Sequence, residues 1–111
     1  MERDLLALVE EARALNPDVF SLIRLQLLLN LANLWPEAVT YRELKASLQL
    51  SDGALYSNLK VLEGMGYVAS GEVTLEEREL KSYQITAEGK AAWEQVKAWL
   101  LRFLECGGER K

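Results

Sequence analysis

The stretch Thr40-Tyr41-Arg42-Glu43-Leu44 and, after a short gap, Leu50-Ser51-Asp52-Gly53-Ala54-Leu55-Tyr56-Ser57-Asn58-Leu59-Lys60-Val61-Leu62-Glu63-Gly64-Met65-Gly66-Tyr67-Val68 decides how the chain is read. Thr40 and Glu43 have the Thr-x-x-Glu spacing of a capping box. The Thr40 hydroxyl accepts from the Glu43 N–H, and the Glu43 carboxylate accepts from the Thr40 N–H. The box opens a short helix, about Tyr41 to Leu48, that buries Leu44 and Leu48. Ser51, with Asp52 behind it, caps a second helix that runs to about Gly64. Leu55, Leu59 and Leu62, spaced i, i+4 and i+7, form its inner stripe. Met65-Gly66-Tyr67 is the exit, with Gly66 suited to a left-handed cap.

Toward the N-terminus, Leu5, Leu8, Val9, Ala12 and Leu15 give a helix from Arg3 to Leu15. Asn16-Pro17 then pairs a good N-cap with a residue suited to the first helical position. A second helix is expected from Pro17 to Leu34, burying Phe20, Ile23, Leu27, Leu28, Leu31 and Leu34. Leu22, Leu25 and Leu29 lie off that stripe, so this helix is expected to be covered on more than one side. Trp35-Pro36-Glu37 ends it, and Ala38-Val39 is a stub of strand.

Toward the C-terminus the period changes. Tyr67–Ser70 and Leu80–Ile85 read as strands, with Tyr83 and Ile85 on one face and Lys81, Ser82 and Gln84 polar. Gly71–Glu79 reads as an acidic connection between them. Thr86 caps a last helix from about Ala87 to Glu105, stopped by Gly107-Gly108. Its apolar face is Ala92, Trp93, Val96, Trp99, Leu100, Phe103 and Leu104. The chain is therefore mainly α with a small β-hairpin wing, a winged helix-turn-helix with extra N- and C-terminal helices. In that plan the second helix of the pair enters a DNA major groove. A single domain spans 1–111, with an N-terminal helix at 1–15, a core at 16–86 and a C-terminal helix at 87–106.

Composition narrows the chemistry. The 111 residues carry 13 Lys and Arg against 17 Asp and Glu, a formal charge of -4, so no overall positive field draws a polyanion in. There is no histidine, which removes the commonest general base and metal ligand. The single cysteine, Cys106, excludes an internal disulfide framework and any zinc site of several thiolates. No phosphate loop or nucleophile elbow is present, so catalytic residues, metal and cofactor are all expected to be absent. The acidic N-terminus lacks the positive leader of a signal peptide, and no apolar stretch approaches the roughly 20 residues of a membrane span. A cytoplasmic location is expected. Cys106 reads as an ordinary thiol, with an inter-subunit disulfide as the alternative.

The run from Thr40 to Val68 resembles the MarR/ArsR-related winged-helix transcriptional regulators of bacteria and archaea. It is most similar to the small stand-alone branch, whose marks Leu-Asn-Pro and Thr-x-Glu-Gly recur as Leu15-Asn16-Pro17 and Thr86-Ala87-Glu88-Gly89. The resemblance implies a dimeric transcription factor acting on operator DNA. By position it implies DNA contact at Ser51, Asp52, Gly53, Tyr56, Ser57 and Lys60, the residues facing outward once the leucines point inward. A polar outer face also belongs on any surface helix. Tyr41 and Arg42 on the preceding helix, and Arg78 and Lys81 in the wing, complete the expected DNA face, to which Lys45 adds a charge.

The wing departs from the family's basic pattern. Glu72, Glu76, Glu77 and Glu79 stand against Arg78 and Lys81, and carboxylates near phosphate repel. The rival reading is thus an interaction module whose acidic wing docks a protein and has little DNA affinity. The end helices are expected to pair two copies through Leu5, Val9, Trp93, Val96, Trp99, Leu100 and Phe103. A small-molecule effector is possible but nothing in the sequence indicates one.

Overall fold

The computed structural model describes residues 3–108. Residues 1–2 and 109–111, the two ends of the expected 1–111 domain, lie outside the described residues. The elements run α1 (Arg3–Ala12), a 3-10 turn (Pro17–Val19), α2 (Leu22–Leu34), β1 (Val39–Thr40), α3 (Tyr41–Leu48), α4 (Asp52–Gly64), β2 (Val68–Leu75), β3 (Arg78–Ile85) and α5 (Ala87–Gly108). The three strands form an antiparallel sheet of order β1-β3-β2. This is the expected winged-helix architecture. Leu27, Leu28 and Leu31 of α2, Leu44 of α3 and Leu55, Leu59 and Leu62 of α4 are wholly buried. Val39, Val68, Tyr83 and Ile85 close that core from the sheet, and Trp93 and Val96 close it from α5. Each such leucine contributes about 1.5–3 kcal/mol by leaving water.

The two caps in the middle form as their sequences require. Thr40 Oγ1 accepts from Glu43 N at 3.1 Å, and Glu43 Oε1 accepts from Thr40 N at 3.0 Å. Ser51 Oγ accepts from Ala54 N at 3.2 Å. Gly66 takes φ 81.

The expected Pro17–Leu34 helix is broken. Asn16 Oδ1 accepts from Asp18 N and starts a single 3-10 turn, after which Ser21 Oγ caps α2 by accepting from Arg24 N at 3.1 Å. Serine near a helix start competes with continuation by bonding the next turn's N–H. The break turns Phe20 outward to 38% exposure, and Leu22, Leu29 and Leu34 are exposed as well. The chain alone therefore does not cover α2 all round. The first helix is also shorter than expected, ending at Ala12, and Arg13, Ala14 and Leu15 continue as tight turns bonded three residues back.

The hairpin wing expected at about 67–85 forms at 68–85, with longer strands than expected. Most of the stretch assigned to a loop is strand, and the hairpin closes at Glu76-Glu77, with Leu75 opposite Arg78. Both glutamates have positive φ, 51° and 64°, the pattern of a type I′ turn. Without the usual Asn-Gly at this turn, only the pairing of the two strands forces this conformation.

At the other end, α5 runs on through Gly107-Gly108 rather than stopping before them. Glycine weakens a helix by about 1 kcal/mol relative to alanine but does not by itself end one.

The start of α5 is joined to the exit of α4 by the Thr86 backbone and hydroxyl and by close backbone contact at Gly89. Thr86 N donates to Tyr67 O at 3.0 Å, Thr86 Oγ1 donates to Gly66 O at 2.6 Å, and Gly89 N donates to Thr86 Oγ1 at 2.9 Å. A Cβ on Gly89 would lie 2.1 Å from Tyr67 O. The Thr-x-Glu-Gly mark thus has a steric reason. Asn16 of Leu-Asn-Pro bonds to the same exit, its Nδ2 donating to Met65 Sδ at 3.5 Å.

Candidate nucleic-acid interface

α3 and α4 are linked by Gln49-Leu50-Ser51, with Gln49 in the left-handed region (φ 54) and its N–H returned to Lys45 O. With three leucines of α4 turned wholly inward, Ser51, Asp52, Gly53, Tyr56, Ser57 and Lys60 all lie exposed on the opposite side. Tyr56 is 54% exposed, and Lys60 Nζ sits 5.6 Å from its ring centroid. Gly53 has nothing within 4 Å of where a Cβ would stand, so no neighbour requires a glycine there. Its bare first-turn position leaves room for an anion to approach the backbone. The exposed Ser57 hydroxyl donates to Ala54 O at 3.4 Å.

Tyr41 and Asp52 are not independent groups. Lys45 Nζ lies 3.1 Å from Asp52 Oδ2, and the Tyr41 hydroxyl lies 3.2 Å from both Asp52 O and Oδ1. Lys45 first, and Tyr41 second, hold the Asp52 carboxyl below the usual carboxylate range. Desolvation and then the facing Asp52 push the Tyr41 hydroxyl up. Arg42 is exposed beside Lys45 and, with Ala46, Gln49 and Leu50, lines a shallow groove of about 570 Å³.

Two residues that position α4 were missed in the sequence. Arg24 Nε donates to Asn58 Oδ1 at 3.0 Å and Arg24 Nη1 to Asp18 O at 2.6 Å, while Asn58 Nδ2 donates to Ala54 O at 2.7 Å. This clasp fixes α4 against α2 and the 3-10 turn. An arginine within the apolar run Leu22–Leu34 was the available signal.

The wing does not bring its cations together. Strand alternation puts Lys81, opposite Glu72, on the face that continues to Tyr83 and Ile85. Arg78, opposite Leu75, lies on the other face with Val73 and Leu80. Glu76, Glu77 and Glu79 gather at the tip.

At the end helices, Trp93 and Val96 are 7% and 2% exposed in the single chain. They belong to its own core, so the expectation that they pair two copies is corrected; the core needed α5 to close it. Trp99 is held inside the chain as well. Its Nε1 donates to Leu8 O at 3.0 Å, and its ring stacks on Phe103 at 5.0 Å and meets Phe20 edge-on at 6.0 Å. Arg102 pairs with Glu11 across the two helices. Leu5 and Leu100 are half-buried, while Val9 and Phe103 are exposed, as are Leu104 and also Leu6 and Leu101, which the helical stripes did not include.

Residues 23–104 match the model of a family described as the winged helix DNA-binding domain. The chain belongs to this family. Solved structures of similar shape include a transcriptional regulator homologue from Pyrococcus horikoshii OT3. It has TM-score 0.77 and 19% identity, covering 98% of this chain and all of that one. The heme sensor protein PefR from Streptococcus agalactiae, in complex with heme, has TM-score 0.68 and 18% identity, covering 91% of this chain and 71% of its own. A PadR-like transcription factor from Bacteroides fragilis has TM-score 0.64 and 18% identity, covering 76% and 84%. No curated protein matches the sequence significantly. The chain is thus a winged-helix DNA-binding domain. Among its described residues no helix is long and apolar enough to cross a membrane.

Proposed function

We propose that this winged-helix protein is a non-catalytic, cytoplasmic transcriptional regulator that binds specific double-stranded DNA as a homodimer, placing α4 in the major groove. The outward face of α4 carries the reading: Ser51, Gly53, Tyr56, Ser57 and Lys60 are exposed together on a helix whose other side is wholly buried. Arg42 extends that face onto α3. Two-fold pairing through the end helices is supported by the exposed Leu6, Val9, Leu101, Phe103 and Leu104. The shape agrees, with a radius of gyration of 16.4 Å against about 13 Å for a compact globule of this length.

A titration of labelled duplex at two salt concentrations tests the interface. Lys60→Ala is expected to weaken binding to all sequences and reduce the salt slope by about one unit, one phosphate contact. Changing Glu76, Glu77 and Glu79 together to Gln is expected to strengthen binding several-fold at low salt, an effect that fades as salt screens the field. The second reading, a protein-docking module, is favoured by the anionic tip beside the apolar Val73, Leu75 and Leu80. It requires negligible duplex binding and no response to either variant.

A further inference from the structure

We propose that Asp52 is a specificity-determining residue, an internal counter-anion that withholds Lys45 and Tyr41 from indiscriminate phosphate contact and yields only where the groove offers its carboxylate a base-edge amino group. The proposal rests on the reading that α4 meets DNA.

Asp52 is the first residue of α4, next to the open position of Gly53. A helix start is where a backbone phosphate is best received, and here a carboxylate of the same charge already occupies the approach. It is also bound to the two groups of α3 that a phosphate oxygen would need. The Lys45 ammonium is 3.1 Å from one carboxylate oxygen and the Tyr41 hydroxyl 3.2 Å from the other. A lysine already paired with a carboxylate releases no counterion when DNA arrives. It therefore adds nothing to the salt-dependent affinity that dominates non-specific binding.

The pair is not locked. The Lys45 and Asp52 side chains are 44% and 71% exposed, and ion pairs so exposed to water exchange partners at little cost. What decides the exchange is the new environment of the carboxylate. A carboxylate is an acceptor only. In the major groove it is satisfied by the exocyclic amino group of cytosine or adenine, whereas the O6, O4 and N7 positions of other base edges repel it. On an arbitrary sequence Asp52 stays with Lys45 and the phosphate is refused. On a sequence with an amino group at the right step, the carboxylate turns to the base and Lys45 is freed for the backbone.

The test compares the wild type with Asp52→Asn, Lys45→Gln and the double variant, using random duplex at two salt concentrations and site selection from a randomised duplex pool. Asp52→Asn is expected to bind random duplex about five-fold tighter at low salt, with a slope steeper by about one unit. Adding Lys45→Gln to it is expected to remove that gain. In the wild-type background, Lys45→Gln leaves the Asp52 carboxylate unpaired and is expected to weaken random-duplex binding without lowering the salt slope. A lysine already on phosphate would lower it by about one unit, and this keeps the proposal testable should the Asn variant not fold. The pool selected by the wild type is expected to show one position per half-site restricted to amino-bearing bases, and Asp52→Asn is expected to lose that restriction. Unchanged or weaker random-duplex binding by Asp52→Asn, while Lys60→Ala still weakens the wild type, overturns the proposal and leaves the interface standing. A wild type that binds no duplex overturns the interface reading and this proposal together.

Discussion

The middle of the winged-helix protein and its two ends treat apolar surface in opposite ways. From Thr40 to Gly89 the large aliphatic residues of the helices point inward, helix starts are capped, and the start of α5 is fixed to the exit of α4 by Thr86 and by the close approach of Gly89 to the Tyr67 backbone. In α1 and α5, Leu6, Val9, Leu101, Phe103 and Leu104 face water although Leu8, Trp93 and Val96 on the same helices are buried. The middle is complete as a single chain. The ends carry more apolar surface than one chain covers, which is what the proposed pairing of two copies would use.

Changing the middle should therefore break the fold, whereas changing the ends should break only the assembly. The largest effect is expected at Gly89→Ala. Its methyl group would stand 2.1 Å from Tyr67 O, a contact with backbone that no rotamer relieves. The joint must open, and thermal unfolding is expected to show a loss of at least about 3 kcal/mol, the upper range of overpacking. Next comes Leu101→Ala with Phe103→Ala. Both residues are about half exposed in the chain, so the unfolding midpoint extrapolated to the monomer should move little. Sedimentation at micromolar concentration should shift from dimer to monomer, because aromatic anchors dominate such contacts. A wild type that sediments as a monomer would erase the contrast between middle and ends.

The smallest effect concerns the cap at Thr40. Its backbone N–H first, and its hydroxyl second, hold the Glu43 carboxyl below the usual glutamate range. A lowered folded value means that the stabilisation is fully present above the ordinary glutamate pKa of about 4.3 and is lost as pH falls through the lowered value. Glu43→Ala is expected to cost about 1 kcal/mol at neutral pH. Denaturant melts of both proteins should converge below about pH 4. A gap that persists at pH 2 would place the effect outside the carboxylate.

The parts legible in the sequence are those governed by residues a few positions apart. Thr40 with Glu43, Ser51 with Ala54, and the leucines of α4 obey rules internal to one helical turn or stripe, and their bounds agree with the structure. Ser21 obeys a local rule as well, but it was masked by the apolar spacing that continues on both sides of it. What escaped depends on distant partners. The wing reaches Glu76-Glu77 because eight cross-strand pairs outweigh turn residues of poor preference. Asn58 is held by Arg24, 34 positions away, a bond that no local spacing signals. Trp93 and Val96 share a stripe with Phe103, and periodicity cannot tell which part of a stripe the chain's own core will claim. Asp52 and Tyr41 were both expected on the outward face, but their bond to each other, 11 positions apart, was not visible.

The joint at Thr86–Gly89 has a geometric consequence. Where helices meet through side chains, repacking can tilt one against the other by several degrees. Here Gly89 rests on the Tyr67 backbone and two hydrogen bonds from Thr86 span the seam, so there is little compliance to take up a change of angle. α5 and α4 behave as the two arms of one bracket. In a pair of chains joined through α5, the bracket would act as a ruler, setting the spacing between the two copies of α4 from the backbone and leaving tolerance to the DNA.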